Sequence, residues 1–141
     1  MTELAHTQAL LDELWPLLGL AALPLDARGG AALTLAAGVP VTLFGEAGDQ
    51  TVLVVLTLGR LPPASDYAAT AWLFKRNIFD SRLAPFVIAA DAQGDLLLWS
   101  RLPLAGLSGK TLAAALDTLG AQAIRIRAEA GLTAPAAQDL P

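Results

Sequence analysis

The sequence predicts a single α+β domain of order α-β-β-β-α-β-β-α, in which helices pack on a twisted, mostly antiparallel sheet. Three observations carry that reading. Segments near the two ends of the chain repeat apolar residues at three-to-four spacing, the period of a helix. Between them lie short apolar runs separated by clusters of Gly, Asp and Pro, the punctuation of strands and hairpins. Finally, 141 residues suit one domain, and 55% hydrophobic against 16% charged residues exceeds the apolar content of ordinary globular chains, roughly 45–50% with 25% charged. Such a composition buries a real core and excludes disorder of the whole chain. It also leaves more apolar surface than one small domain hides. A second copy of the chain, a ligand groove, or both are expected to cover the remainder.

The first helix is read over residues 4–20. Leu4, Leu11, Leu14 and Leu18, with Leu10 and Leu17 beside them, form its stripe, and Asp12 and Glu13 lie off it. Pro16 lacks a backbone donor and its ring opposes the carbonyl four residues back. A kink or a new turn is expected there, with Gly19 ending the element. Residues 23–60 read as three strands. Asp26-Ala27-Arg28-Gly29-Gly30 turns into residues 31–36, with Leu33 and Leu35 on one face. Ala37-Gly38 turns again into Val39, Val41 and Leu43, which alternate with Pro40, Thr42 and Phe44. After the turn at Gly45–Asp49, Val52 to Leu58 is apolar at nearly every position. Continuous apolar character implies burial on both faces, so helices on one side alone would leave a face needing another cover.

Pro62-Pro63 breaks the run, and Ser65 or Asp66 caps a second helix to about Phe79. Its apolar residues fall on two stripes, Tyr67, Ala71, Phe74 and Ile78, and Ala68, Trp72 and Phe79. Residues 85–103 read as a hairpin, with Phe86–Ala89 and Leu96–Trp99 flanking the turn Asp91-Ala92-Gln93-Gly94-Asp95. Ser108 caps the last helix, with a stripe of Leu112, Leu116, Leu119, Ala123 and Ile126 and a stop at Gly131. Gly120 lies inside it, where close packing is expected to justify its cost of about 1 kcal/mol. Residues 1–131 are thus the domain, and 132–141, rich in Ala and Pro, are expected to be a flexible tail.

The chemistry is sparse. The net charge is −4, with −5 in residues 1–70 (seven acids, two bases) and +1 in residues 71–141 (six acids, seven bases). No cluster of Lys and Arg offers a nucleic-acid face. There is no Cys, and the one His, His6, is expected to be a solvated surface residue, since a catalytic base needs a positioned partner. Neither a catalytic set nor a metal site is read. The acids Asp26, Glu46, Asp49, Asp91 and Asp95 sit in turns, where Asp binds its own backbone. Gly109-Lys110-Thr111 opens a helix after a strand, as a phosphate loop does. That motif needs Gly five residues earlier, where this chain has Leu104. Capping by Ser108 is the better account. No apolar stretch approaches the roughly 20 residues of a bilayer span, and Met1-Thr2-Glu3 lacks the basic start of a signal peptide. An unexported protein without a membrane segment is expected.

Several runs together resemble one family. Leu18-Gly19-Leu20 closes the first helix, Leu25-Asp26 with Gly29 or Gly30 enters the first hairpin, and Leu73-Phe74 with Asn77 comes late in the second helix. Asp91-Ala92-Gln93-Gly94 joins the last strands, and Arg101-Leu102-Pro103-Leu104, with Leu107, leads to the last helix. With the size and the pI of about 4.7, the set is similar to the class I type III secretion chaperones, the Tir-chaperone-like group, over about residues 8–130. That resemblance implies a cytoplasmic bacterial homodimer without a cofactor. It implies binding of the extended N-terminal segment of a secreted effector, which the secretion ATPase later strips off. Strand edges would supply backbone bonds and grooves would supply side-chain pockets. On this basis Leu10, Leu11, Leu14, Leu18, Leu33, Leu35, Val41 and Leu43 are expected to line the effector groove. Ala68, Trp72, Phe79 and Trp99 are expected to form the dimer interface, large aromatics being favoured anchors. Two other readings fit the same sequence: a dimeric regulatory adaptor of this fold that sequesters a cytosolic partner, and a small nucleotide-binding protein built on Gly109-Lys110-Thr111.

Overall fold

Eight elements follow in the predicted order: α1 (Ala5–Leu17), β1 (Gly30–Thr34), β2 (Pro40–Gly45), β3 (Thr51–Arg60), α2 (Tyr67–Phe79), β4 (Val87–Ala90), β5 (Asp95–Pro103) and α3 (Gly109–Ala130). The computed structural model describes residues 4–79, 83 and 85–132; the predicted tail beyond residue 132 lies outside them. The strands form one sheet of order β1-β2-β3-β5-β4, antiparallel at every pairing. β5 is longer than its apolar run. Arg101, Leu102 and Pro103 continue the ladder along β3, pairing with Leu53, Val52 and Thr51. The two longest strands therefore lie side by side at the centre.

One face of the sheet is built from Leu33, Val41, Leu43, Val52, Val54, Leu56, Leu58, Ile88, Leu96 and Leu98, all buried in one core with residues of all three helices. The predicted stripe of α3, Leu112, Leu116, Leu119, Ala123 and Ile126, is buried against it. α1 packs beside α3 and contributes Leu10, Leu11, Leu14 and Trp15. On the opposite face Leu53, Val55, Leu97, Trp99 and Val87 are half-buried. Val52 to Leu58 is thus sealed on one face only; the described residues leave the other half-buried.

Three local expectations change. Pro16 starts no new element; it occupies the last turn of α1 on an exposed side. The carbonyl it leaves without a donor belongs to Asp12, also exposed, where water can satisfy it. The helix then closes with Leu20 N–H on the Trp15 carbonyl and Gly19 N–H on that of Pro16, the paired bonds of a Schellman end. In α2 the fully buried residue lies outside both predicted stripes, of which Trp72 is partly buried against the core and the side chains of Ile78 and Phe79 lie outside the described residues. Leu73 is fully buried, while Tyr67 is 79% and Phe74 49% exposed. The helix meets the edge strand β4 and α3, with Leu73 and the partly buried Trp72 turned to the core. The third change is Asp49, whose side chain bonds the start of α1 rather than its own turn.

The two Asp-Ala-x-Gly turns are the same structure built twice. Asp26 Oδ1 accepts from the N–H groups of Arg28 and Gly30, and Asp91 Oδ1 from those of Gln93 and Asp95. Gly29 and Gly94 take φ of 78° and 83°, the left-handed region that side chains resist.

Candidate functional site

Ladder geometry leaves part of the sheet edge open. In β1, residues 29, 31, 33 and 35 bond to β2, as Leu35 N–H on Val39 O and Gly45 N–H on Gly29 O fix the phase. Gly30, Ala32 and Thr34 therefore point their backbone groups outward. Gly30 is already occupied, since Asp26 accepts its N–H and donates to its carbonyl. Ala32 and Thr34 are exposed and have no backbone partner on that side among the described residues. The other edge is closed differently. The Asn77 side chain on α2 accepts the N–H of Ile88 at 2.5 Å and donates to its carbonyl at 3.2 Å, taking the place of a neighbouring strand on β4.

Beside the open edge lies a recess of ≈ 120 Å³ lined by Leu17, Leu18, Leu20, Leu33, Thr34, Leu35, Ala36 and Asp117. Three of the eight predicted groove residues, Leu18, Leu33 and Leu35, line it. Leu10 lines a larger cleft at the opposite end of α1. Leu11, Leu14, Val41 and Leu43 lie beneath, with 0–1% exposure, as core that fixes the shape of the surface above. Helical or strand spacing gives the same signal for a core leucine and a recess-lining one, so the sequence could not separate them.

The larger cleft, ≈ 350 Å³, is lined by His6, Ala9, Leu10 and Glu13 of α1, Asp49 and Gln50 of the β2–β3 turn, and Leu104, Ala105 and Leu107 before α3. Its walls are tied together. Leu4, the residue capping α1, makes no side-chain cap; Asp49, distant in sequence, does that work. Its carboxylate accepts the N–H of His6 at 2.6 Å, the N–H of Thr7 at 3.0 Å and the Thr7 hydroxyl at 2.7 Å. Sequence reading assigned Asp49 to its own turn; the only trace of its role is that it adopts φ 53° where Gly is usual. Burial pushes its carboxyl up, but the Thr7 hydroxyl, the two backbone N–H groups and the nearby His6 outweigh that and hold it below the ordinary value. The His6 imidazole stands 3.3 Å away and is 76% exposed, a surface side chain as expected. Gln50 O accepts the N–H of Leu104, and Glu13 Oε1 accepts that of Gly109 at 3.0 Å.

That last bond explains Gly109. A Cβ there would stand 2.5 Å from Glu13 Cβ and 2.9 Å from its carbonyl carbon. The glycine serves the contact of two helices. Ser108 accepts the N–H of Thr111 and donates its own N–H to the Thr111 hydroxyl, a complete capping box. Thr111 is thereby committed to the helix end. Among the described residues no group of three or more His, Asp or Glu could hold a metal ion, and no helix is long and apolar enough to cross a membrane.

The predicted interface residues lie on two surfaces. Trp99 stands on the half-buried sheet face, opposite Val55 and Val87 in the register, with the Arg101 guanidinium 5.3 Å from its ring centre. Arg101 is held by Glu46 at 2.8 Å, and its hydrogen bond, with one from Thr51, holds the Glu46 carboxyl below its usual range. Trp72 is half-buried on α2 under Arg76 at 4.6 Å, and Ala68 is exposed. Phe79 ends α2; its side chain lies outside the described residues.

The model of the Tir chaperone protein (CesT) family matches residues 9–127. Similar solved structures include a chain of the complex of the Yersinia pestis type III secretion chaperone SycH with a stable fragment of YscM2. That chain is 25% identical, with 84% of this chain and 98% of that chain covered and a TM-score of 0.64. A chain of the Pseudomonas aeruginosa type III secretion complex ExoU–SpcU is 25% identical, covering 75% and 86%, with a TM-score of 0.61. The ExsC–ExsE complex matches at 22% identity over 98% and 100%, TM-score 0.71, a likeness of fold. No curated protein sequence matches the chain.

Proposed function

Since the chain belongs to the Tir chaperone protein (CesT) family, we propose that it acts in the bacterial cytoplasm as a type III secretion chaperone. As a homodimer it holds the extended N-terminal segment of a secreted effector until the secretion ATPase removes it. The observation that carries this reading is the open edge at Ala32 and Thr34 beside the recess of Leu18, Leu33 and Leu35. An extended segment laid there gains backbone bonds from the edge and side-chain burial from the recess. Leu10 contributes at the far end of α1, with Leu11, Leu14, Val41 and Leu43 supporting the floor.

The homodimer reading is supported by the half-buried sheet face of Leu53, Val55, Val87, Leu97 and Trp99 and by the exposed aromatic side of α2. Ala68, Trp72, Phe79 and Trp99 are assigned to it. Trp99→Glu and Trp72→Glu are expected to yield monomer by light scattering after size exclusion; unchanged dimers would move the interface elsewhere.

The client test uses Ala32→Pro. Proline is tolerated on an edge where the N–H faces away from the ladder, so the fold persists while one outward donor is lost. The source bacterium's secreted proteins are captured on the wild-type and variant chains, followed by limited proteolysis. An extended segment of a secreted protein, retained by wild type and lost by the variant, supports the reading. A folded cytosolic partner in its place would favour the regulatory adaptor. Equal retention by both chains would contradict strand addition at β1.

A further inference from the structure

The ≈ 350 Å³ cleft at the start of α1 is separate from the β1 edge. We propose that it is a second docking site, taking a client segment in which an apolar side chain adjoins Lys or Arg; this rests on the client-binding reading above. The floor is apolar, formed by Leu10, Leu104 and Leu107; Glu13 stands exposed at the rim, Asp49 lies largely buried in the wall beside His6, and no Lys or Arg is among the lining residues. Each carboxylate caps a helix N-terminus, which offsets roughly half an elementary charge. The rim therefore stays negative. Glu13 is exposed and uses one oxygen on Gly109, so the other is available to a cation.

The cleft is also preorganised. Asp49 ties the turn to α1, Gln50 O ties it to Leu104, and Glu13 ties α1 to α3. All three walls are cross-linked by hydrogen bonds before anything docks, which reduces the ordering cost of binding. A neutral apolar segment would fill the floor and leave the carboxylates facing its backbone. An acidic one would be repelled. A Leu or Phe next to Lys satisfies both the floor and the rim.

The test uses the full chain and three synthetic peptides, identical except that a central leucine is flanked by Lys, Ser or Glu. Amide resonances are followed by two-dimensional NMR. The Lys peptide should shift Ala9, Gln50 and Ala105, bind about fivefold more tightly than the Ser peptide, as expected of an exposed charge pair, and weaken as salt shortens the screening length. The Glu peptide should not bind. Ala9→Arg and Gln50→Lys alter exposed lining side chains without touching the ties; each should abolish the Lys-peptide shifts while the helical signal is retained. Ala32→Pro should leave those shifts unchanged, which separates failure here from failure of the edge reading. Equal binding of the Lys and Glu peptides, or no shift in the cleft, overturns the proposal. So does an Ala9→Arg variant whose only change is its oligomeric state, which would make the cleft a contact between copies.

Discussion

Replacing Asp49 by Ala should destabilise the protein by about 3–4 kcal/mol, more than a turn residue ordinarily costs. The carboxylate accepts from His6 N–H, Thr7 N–H and Thr7 Oγ1 at 2.6, 3.0 and 2.7 Å, and Thr7 is fully buried. Losing the helix cap costs about 1 kcal/mol. Leaving the Thr7 hydroxyl unpaired in the core adds about 1–2 kcal/mol. An alanine held at φ 53° adds about 1 kcal/mol. The components are separable. Asp49→Gly should recover the backbone part, and Asp49→Asn, which tolerates the left-handed region and keeps one acceptor oxygen, should cost only about 1 kcal/mol. His6→Ala should have little effect, because its backbone bond remains. Urea unfolding followed by fluorescence is suited to the measurement, since Trp15 of α1 is fully buried. The pH dependence supplies a sign. The native carboxyl is held below the ordinary carboxylate value, so its contribution is complete above the ordinary value and fades as pH falls through the lower native one. The gap between wild type and Asp49→Ala should be constant from pH 7 to 5 and narrow below about pH 4. A loss under about 0.5 kcal/mol, within the range of ordinary surface changes, or a gap unaltered at pH 3, would refute the capping account.

Other substitutions test neighbouring claims. Asn77→Ala removes both bonds to the Ile88 backbone; it should cost about 1–3 kcal/mol in urea unfolding and raise light scattering with concentration as the β4 edge is bared. Gly109→Ala places a Cβ against the Glu13 backbone and should destabilise by about 1–3 kcal/mol, despite the helix propensity gained; higher thermal stability instead would mean that α1 and α3 are not in close contact. Ser108→Ala should cost about 1 kcal/mol through loss of the cap. Lys110→Ala, exposed in the same turn, should be neutral, and calorimetry with ATP should give no Lys110-dependent binding.

Element order was legible because each segment carries its own period or turn chemistry. The stripe of α3 and the Asp26 and Asp91 turns are local signals, and local signals survive folding. What failed was non-local. Nothing near Asp49 announces that it caps a helix distant in sequence, and nothing in the hairpin at residues 85–103 says that its second strand lies beside β3. Leu73 was missed as the fully buried residue of α2 because larger aromatics surround it, and aromatic size does not tell which side of a helix a neighbouring strand and helix will cover. Of the predicted groove set, periodicity found apolar residues but could not rank them by depth. Leu18, Leu33 and Leu35 reach a recess while Leu11 and Leu14 do not, a distinction set by how α1 packs beside α3.

The Asp26 turn shortens the free margin of β1 to two residues, Ala32 and Thr34, because it occupies Gly30 on both sides. A guest can therefore form only a few rungs, each worth about 1 kcal/mol net, far from the roughly 12 kcal/mol of nanomolar attachment. Tenacity must come from several shallow anchorages spread over the surface rather than from one deep one. Such a grip can be peeled away a foothold at a time, without melting the protein that provides it.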